Sequence, residues 1–313
     1  MKSDRRVEGL GRLLRAFDHQ HTFYVIGAGA SAGIIPMTSQ LRSSIVERYL
    51  SFGSFPLEIQ DHDYVFQRIV GDPAITDAPN EYSMLMRLNS PAVHAMVAQE
   101  LTPACFSRSI PQYEIFRSVK KPGTFFSLNV DGLLAQYCRG HVLLEPHGRI
   151  PVKVVRSPMW DEIIDALLMY GFKSPTIPGL LLPQPEPRTI TSGDAYRKAI
   201  RLMPSAKFVV LIGYSFGLFQ DLIDDFETFE FICELMKFYH KDIIVVDPRP
   251  DFISNSIEVA TNCRPPTGLK VRWNHLARAI EEFKEKFPGT EFSSLAGSAR
   301  KILYRHDELA DVE

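Results

Sequence analysis

Asn129-Val130-Asp131, Glu145-Pro146-His147-Gly148 and Gly213-Tyr214-Ser215-Phe216-Gly217 place amide, carboxylate, imidazole and hydroxyl groups just after short β-rich runs. An amide and a carboxylate two residues apart at a strand end can both face a ligand along the carboxyl edge of a parallel sheet. Taken alone, the same residues also make an Asx turn capping the next helix. His147 enters the same edge, and imidazole is a natural general base near neutral pH. Eight other histidines leave a structural role equally open for it.

Gly27-Ala28-Gly29-Ala30-Ser31 follows another β-rich run. Glycines there let backbone approach a pyrophosphate. A dehydrogenase fingerprint would need glycine at position 32, where Ala32 stands, and an acid ending a second strand, where Glu47 falls in a helical pattern. A plain tight turn is the alternative. Asp247, in Val245-Val246-Asp247-Pro248, is placed to accept both hydroxyls of a ribose or to form an Asp-Pro turn. Gly213 to Gly217 also matches the nucleophile elbow of serine hydrolases, with Asp247 and His275 following in the required order. That arrangement leaves Gly27–Ser31 and Asn129–Asp131 without a role, and separates serine from acid by only 32 residues.

The elements that position these groups alternate. Leu10, Leu13, Leu14 and Phe17 recur at helical spacing, predicting an opening helix over 5–19. Strands are expected at Thr22–Ile26, Thr124–Leu128, Val142–Leu144, Lys207–Ile212, Asp242–Val246 and Lys270–Trp273. Helices are expected near 39–50, 61–70, 91–101, 111–119, 159–170, 194–203, 218–239 and 274–286, and 298–313 reads as a helix or a frayed tail. Several strands are continuous apolar runs, as in a parallel sheet covered on both faces. The expectation is an α/β, Rossmann-like doubly wound sheet with an inserted, mostly helical subdomain. Its core covers about 1–50, 120–150 and 204–290 of a single domain, with insertions at about 51–120 and 150–203 and an extension at 291–313. Pro175–Pro187 holds five prolines and reads as loop.

Composition narrows the classes. A hydrophobic fraction of 45% over 313 residues supports a substantial core, excluding a disordered chain. Lys and Arg total 35 against 37 Asp and Glu, so no global basic field predicts a nucleic-acid partner. No apolar run has membrane-helix length, and no signal peptide is read at the N-terminus, so a cytoplasmic protein is expected. Cys105, Cys138, Cys233 and Cys263 are spaced by 33, 95 and 30 residues, without the close thiolate pairs of a zinc ribbon. Reduced thiols and no metal site are expected.

In order and spacing, the glycine turn, the Asn-Val-Asp trio, His-Gly, Gly-Tyr-Ser and the strand-end acid resemble the sirtuin family over about two thirds of the chain. The resemblance implies that Gly27, Ala28, Gly29 and Ser31 cradle NAD phosphates. It implies that Asn129 holds the nicotinamide ribose and the reacting water, Asp131 the carboxamide, and that His147 is the base. Gly213, Ser215 and Asp247 would approach the adenosine half. Leu128 stands where deacetylases of the family carry glutamine, and Thr38 and Ser39 replace their phenylalanine and arginine. Without a zinc ribbon the acyl-peptide groove lacks its outer wall. These departures resemble the zinc-free NADase effectors of bacterial antiphage defence.

The resemblance therefore implies an NAD glycohydrolase, with NAD as substrate and no metal. Control by homo-oligomer assembly or a partner such as an ATPase is inferred. A protein deacylase or ADP-ribosyltransferase, a non-catalytic sensor of NAD or ADP-ribose, and a serine hydrolase using Ser215, Asp247 and His275 remain rivals.

Overall fold

The computed structural model describes residues 2–36, 38–56, 58–71, 85, 88, 90–102, 109–150, 152–170, 193–216, 223, 225–239 and 241–311. Cys105, Gly217 and the Pro175–Pro187 segment lie outside the described residues.

The chain opens with α1 (Lys2–Phe17), whose Leu10, Leu13, Leu14 and Phe17 are fully buried, and β1 (Phe23–Ile26). After a 3-10 turn at Ala28–Ser31 come α2 (Thr38–Ser51), α3 (His62–Val70), α4 (Pro91–Glu100) and α5 (Pro111–Ser118). Next are β2 (Thr124–Ser127), β3 (Val142–Leu144), α6 (Val152–Val155), α7 (Trp160–Tyr170) and α8 (Asp194–Leu202). The second half holds β4 (Phe208–Ile212), α9 (Phe226–Tyr239), β5 (Asp242–Asp247), α10 (Pro250–Thr261), β6 (Thr267–Lys270), α11 (Trp273–Lys286) and α12 (Ala299–Asp311).

Among the described residues the six strands are all parallel, in the order β3-β2-β1-β4-β5-β6. This is the doubly wound order of Rossmann-type sheets, with its switch point between β1 and β4. Residue alternation divides the strands between two cores. Tyr24, Ile26, Phe125, Val210, Ile212, Ile244 and Val246 join the core under α1, α5, α11 and α12. Phe23, Val25, Phe126, Val209, Leu211, Ile243 and Val245 join the core under α8, α9 and α10. Burial on both faces explains why β1 and β4 read as unbroken apolar runs.

A third core gathers residues from α2, α3, α4, α6 and α7, and contains no strand residue among those described. It takes in Leu41, Ile45 and Val46 of α2 beside residues from both expected insertions. Its link to the sheet runs through Val130 and Ile150, both buried in that core and joined by an Ile150 N–H donating to the Val130 carbonyl at 2.9 Å.

Two expected boundaries are corrected. The last strand is Thr267–Lys270, not Lys270–Trp273. Gly268 hides it from propensity, while Trp273 instead opens α11, where its indole N–H donates to the Gln112 carbonyl at 2.9 Å. The helix expected from residue 218 begins, among the described residues, at Phe226, behind a buried Asp225 whose carboxylate accepts the Thr228 amide.

Candidate functional site at the carboxyl edge

Parallel strands bring all their C-terminal ends to one edge, and there the sequence-predicted groups collect. The Gly27 amide donates to the Ile212 carbonyl at 3.0 Å and the Gly29 amide to the Gly213 carbonyl at 2.9 Å, locking the turns after β1 and β4 together. The glycines make this approach sterically possible. A Cβ on Gly27 would lie 2.4 Å from the Tyr214 ring, and one on Gly213 would lie 2.5 Å from the Ala30 nitrogen. Gly213 also sits at φ +59°, in the left-handed region. Ala28 is exposed and Gly29 half-buried, so this double turn forms part of the accessible edge at the switch point.

Ser31 is the hub of a buried polar network. Its hydroxyl donates to Asp131 Oδ2 at 2.7 Å and lies 2.6 Å from the Tyr113 hydroxyl and 3.0 Å from Asn129 Nδ2. Having given its proton to Asp131, Ser31 accepts from both Tyr113 and Asn129. Asn129 Nδ2 also reaches the Tyr113 oxygen at 3.4 Å. Asp131 Oδ1 accepts the Leu133 amide at 2.8 Å, the Asx turn foreseen as an alternative. That bond and the ligand-facing reading are compatible, because a carboxylate has further lone pairs.

Burial pushes the Asp131 carboxyl above its ordinary range, against the opposing hydrogen bonds from Ser31 and Leu133. Burial likewise raises the Tyr113 phenol, assisted by the Asp131 charge, so Tyr113 stays a proton donor. Alternation along Asn129-Val130-Asp131 explains the geometry: Val130 is buried in the third core while its neighbours join the network.

His147 lies in a second cluster. It is buried, its Nε2 3.7 Å from Asp225 Oδ2, a separation for an ion pair rather than a hydrogen bond. Asp225 also accepts the Tyr214 hydroxyl, and Thr228 N–H at 3.1 Å. Burial acts to raise the Asp225 carboxyl, but His147, Thr228 and Tyr214 outweigh it and hold the group below the usual carboxylate range. Tyr214 packs against Gly27, linking this cluster to the glycine turn. Gly148, at φ +74°, turns the chain immediately after the imidazole.

Asp247 ends β5 half-buried, accepting the Arg249 amide at 2.8 Å, and burial raises its carboxyl. Ser215 is half-buried three residues after β4. His275, the third member of the serine-hydrolase set, is buried on α11 with its ring 5.9 Å from His306.

Two residues escaped the sequence. Tyr113 reads as one more apolar position of an amphipathic helix, and Asp225 belongs to no motif. Contacts across turns and between elements reveal them: Tyr113 with Ser31 and Asn129, Asp225 with His147 and Tyr214. Among the described residues, no group of three or more His, Cys, Asp or Glu is placed to hold a metal ion, and no helix is long and apolar enough to cross a membrane.

No protein-family model and no curated protein matches the sequence. Solved structures do match. A mutant Sir2 homologue in complex with ADP-ribose is 13% identical, covering 94% of this chain and 97% of that one, at a TM-score of 0.42. A structure described under the mechanism and regulation of Sir2 enzymes is 14% identical, covering 89% and 98%, at 0.46. A Sir2 homologue–NAD complex is 13% identical, covering 88% and 93%, at 0.41. All three are Sir2 structures. At these identities the likeness is one of fold.

Proposed function

We propose that this chain is an NAD-consuming enzyme, specifically a glycohydrolase converting NAD and water to ADP-ribose and nicotinamide. One observation carries the reading. The segments resembling the sirtuin motifs converge at the switch-point edge, with His147 set against a buried carboxylate and Asn129 and Asp131 held in one network. In Rossmann-type sheets that edge is where nucleotides bind.

Cleaving the N-glycosidic bond sends its electron pair to nicotinamide and leaves positive charge on the ribose ring. Asp131, its orientation fixed by Ser31 and the Leu133 amide, holds the departing carboxamide. Asn129 positions the incoming water. His147 removes a proton from that water or from a ribose hydroxyl, and Asp225 stabilises the imidazolium that results. An Nε2 proton facing Asp225 leaves Nδ1 as the basic nitrogen. Gly27, Ala28 and Gly29 approach the phosphates; Ser31, its hydroxyl committed to Asp131, supports the turn from beneath. Gly213, Ser215 and Asp247 face the adenosine half. A cytoplasmic role in antiphage defence, with control by homo-oligomer assembly or an ATPase partner, belongs to the same proposal and rests on the resemblance alone.

The test is release of free nicotinamide from NAD by the full chain, with and without an acylated peptide. Release without peptide is expected. His147→Ala and Asn129→Ala should each lower it by about 10²–10⁴-fold. Undiminished turnover in His147→Ala would overturn the assignment of the base, and release only with peptide would move the chain to the deacylases.

A further inference from the structure

A groove of about 1370 Å3 runs beside the candidate site, and its charge is one-sided. Arg117, Lys121, Arg139, Arg149, Lys153 and Arg156 line it, all of them exposed, and no acidic residue does among those described. They come from α5 and the loop after it, the loop before β3, the turn after His147, and α6 with the residue that follows it. All six fall between residues 117 and 156, in short segments separated by β2 and β3, and the fold brings them around one concavity. Glu114 pairs with Arg117 at 2.9 Å and Glu145 with Arg149 at 2.7 Å. Lys121, Arg139 and Lys153 have no carboxylate partner among the described residues. Packing like charges around one concavity is unfavourable unless an anion relieves it.

We infer that this groove binds the phosphodiester backbone of a nucleic acid strand. Its volume exceeds the roughly 300–1,000 Å3 of small-molecule pockets, and its cations are spread along it rather than focused on one phosphate. The aromatic residue in its wall, Tyr137, is buried, with the Arg117 guanidinium 4.7 Å over its ring. No base-stacking platform is therefore offered, and recognition falls on the backbone, independent of base sequence. The net charge of −2 conceals the groove because acidic residues elsewhere cancel it in the sum. Gly132 and Arg149, which line the groove, directly follow Asp131 and the His147-Gly148 turn, so a bound strand lies next to those turns.

The experiment is fluorescence anisotropy of the full chain with a labelled single-stranded oligothymidylate, and with a duplex of mixed sequence, at salt from about 50 to 200 mM. Binding of either, falling steeply with salt, is expected; for single strands three to six phosphate contacts give a log–log slope of about −2 to −4. The triple variant Lys121→Glu, Arg139→Glu, Lys153→Glu should weaken binding at least tenfold and flatten the slope. The charge-conserving Lys121→Arg, Arg139→Lys, Lys153→Arg should retain it, and Lys121→Gln, Arg139→Gln, Lys153→Gln should fall between. No binding at low salt, unchanged binding in the Glu and Gln variants, or displacement by equimolar ATP would overturn the inference. None of these readouts depends on NAD turnover.

Discussion

Ser31→Ala probes the whole Asn129–Asp131 network through one oxygen. The substitution removes 2.7, 2.6 and 3.0 Å contacts to Asp131, Tyr113 and Asn129 and adds no bulk. Tyr113 and Asn129 keep each other at 3.4 Å, so the loss falls on Asp131, which is 1% exposed and retains only the Leu133 amide. A hydrogen bond to a buried charged group is worth about 1.5–3 kcal/mol, and the weakened Tyr113–Asn129 pair adds to this, for a total of about 2–4 kcal/mol. The loss should depend on pH. Burial already raises the Asp131 carboxyl, so keeping it ionised in the folded chain costs stability as pH climbs from 3.8 through the raised value. Without Ser31 the carboxyl rises further. The penalty should be greatest at neutral pH and shrink as pH falls below the raised value toward 3.8, where Asp131 is protonated in the folded state of both proteins. Urea unfolding of both proteins at neutral and acid pH measures it, with m-values checking two-state behaviour. A difference below about 0.5 kcal/mol, the scale of an exposed substitution, or one independent of pH, would refute the network as described.

Gly213→Ala should destabilise by about 3 kcal/mol, because its Cβ would meet the Ala30 nitrogen at 2.5 Å and its φ of +59° suits glycine; thermal unfolding reads the loss. Asp225→Asn should lower nicotinamide release at least tenfold. It should also reduce stability at neutral pH, a loss that fades below 3.8: the Asp225 carboxyl is depressed in the fold, so its stabilisation exists above the ordinary value and disappears as pH falls through the lower one. Ser215→Ala should mainly weaken NAD affinity, measured by calorimetry, and the native chain should not be labelled by a fluorophosphonate; stoichiometric labelling at Ser215 would instead support the serine hydrolase.

Local sequence was enough for the elements whose burial is uniform. β1 and β4 are buried on both faces, so their apolar runs announce strands and a parallel sheet, and α1 shows its stripe because one face alone is covered. It also marked the turns at the strand ends, since glycine, asparagine and aspartate are needed there whichever role they serve. β6 was misplaced because an edge strand containing Gly268 lacks that signature. Tertiary structure alone decided how the groups meet. Strand order, which no local pattern encodes, puts the turns after β1 and β4 in contact and brings Tyr113 and Asp225 to Ser31 and His147. It also gathers cations from four segments into one groove while the chain's net charge stays near zero. Periodicity is a property of neighbours along the chain, whereas hydrogen bonds and fields depend on distance in space, which only the packed fold sets.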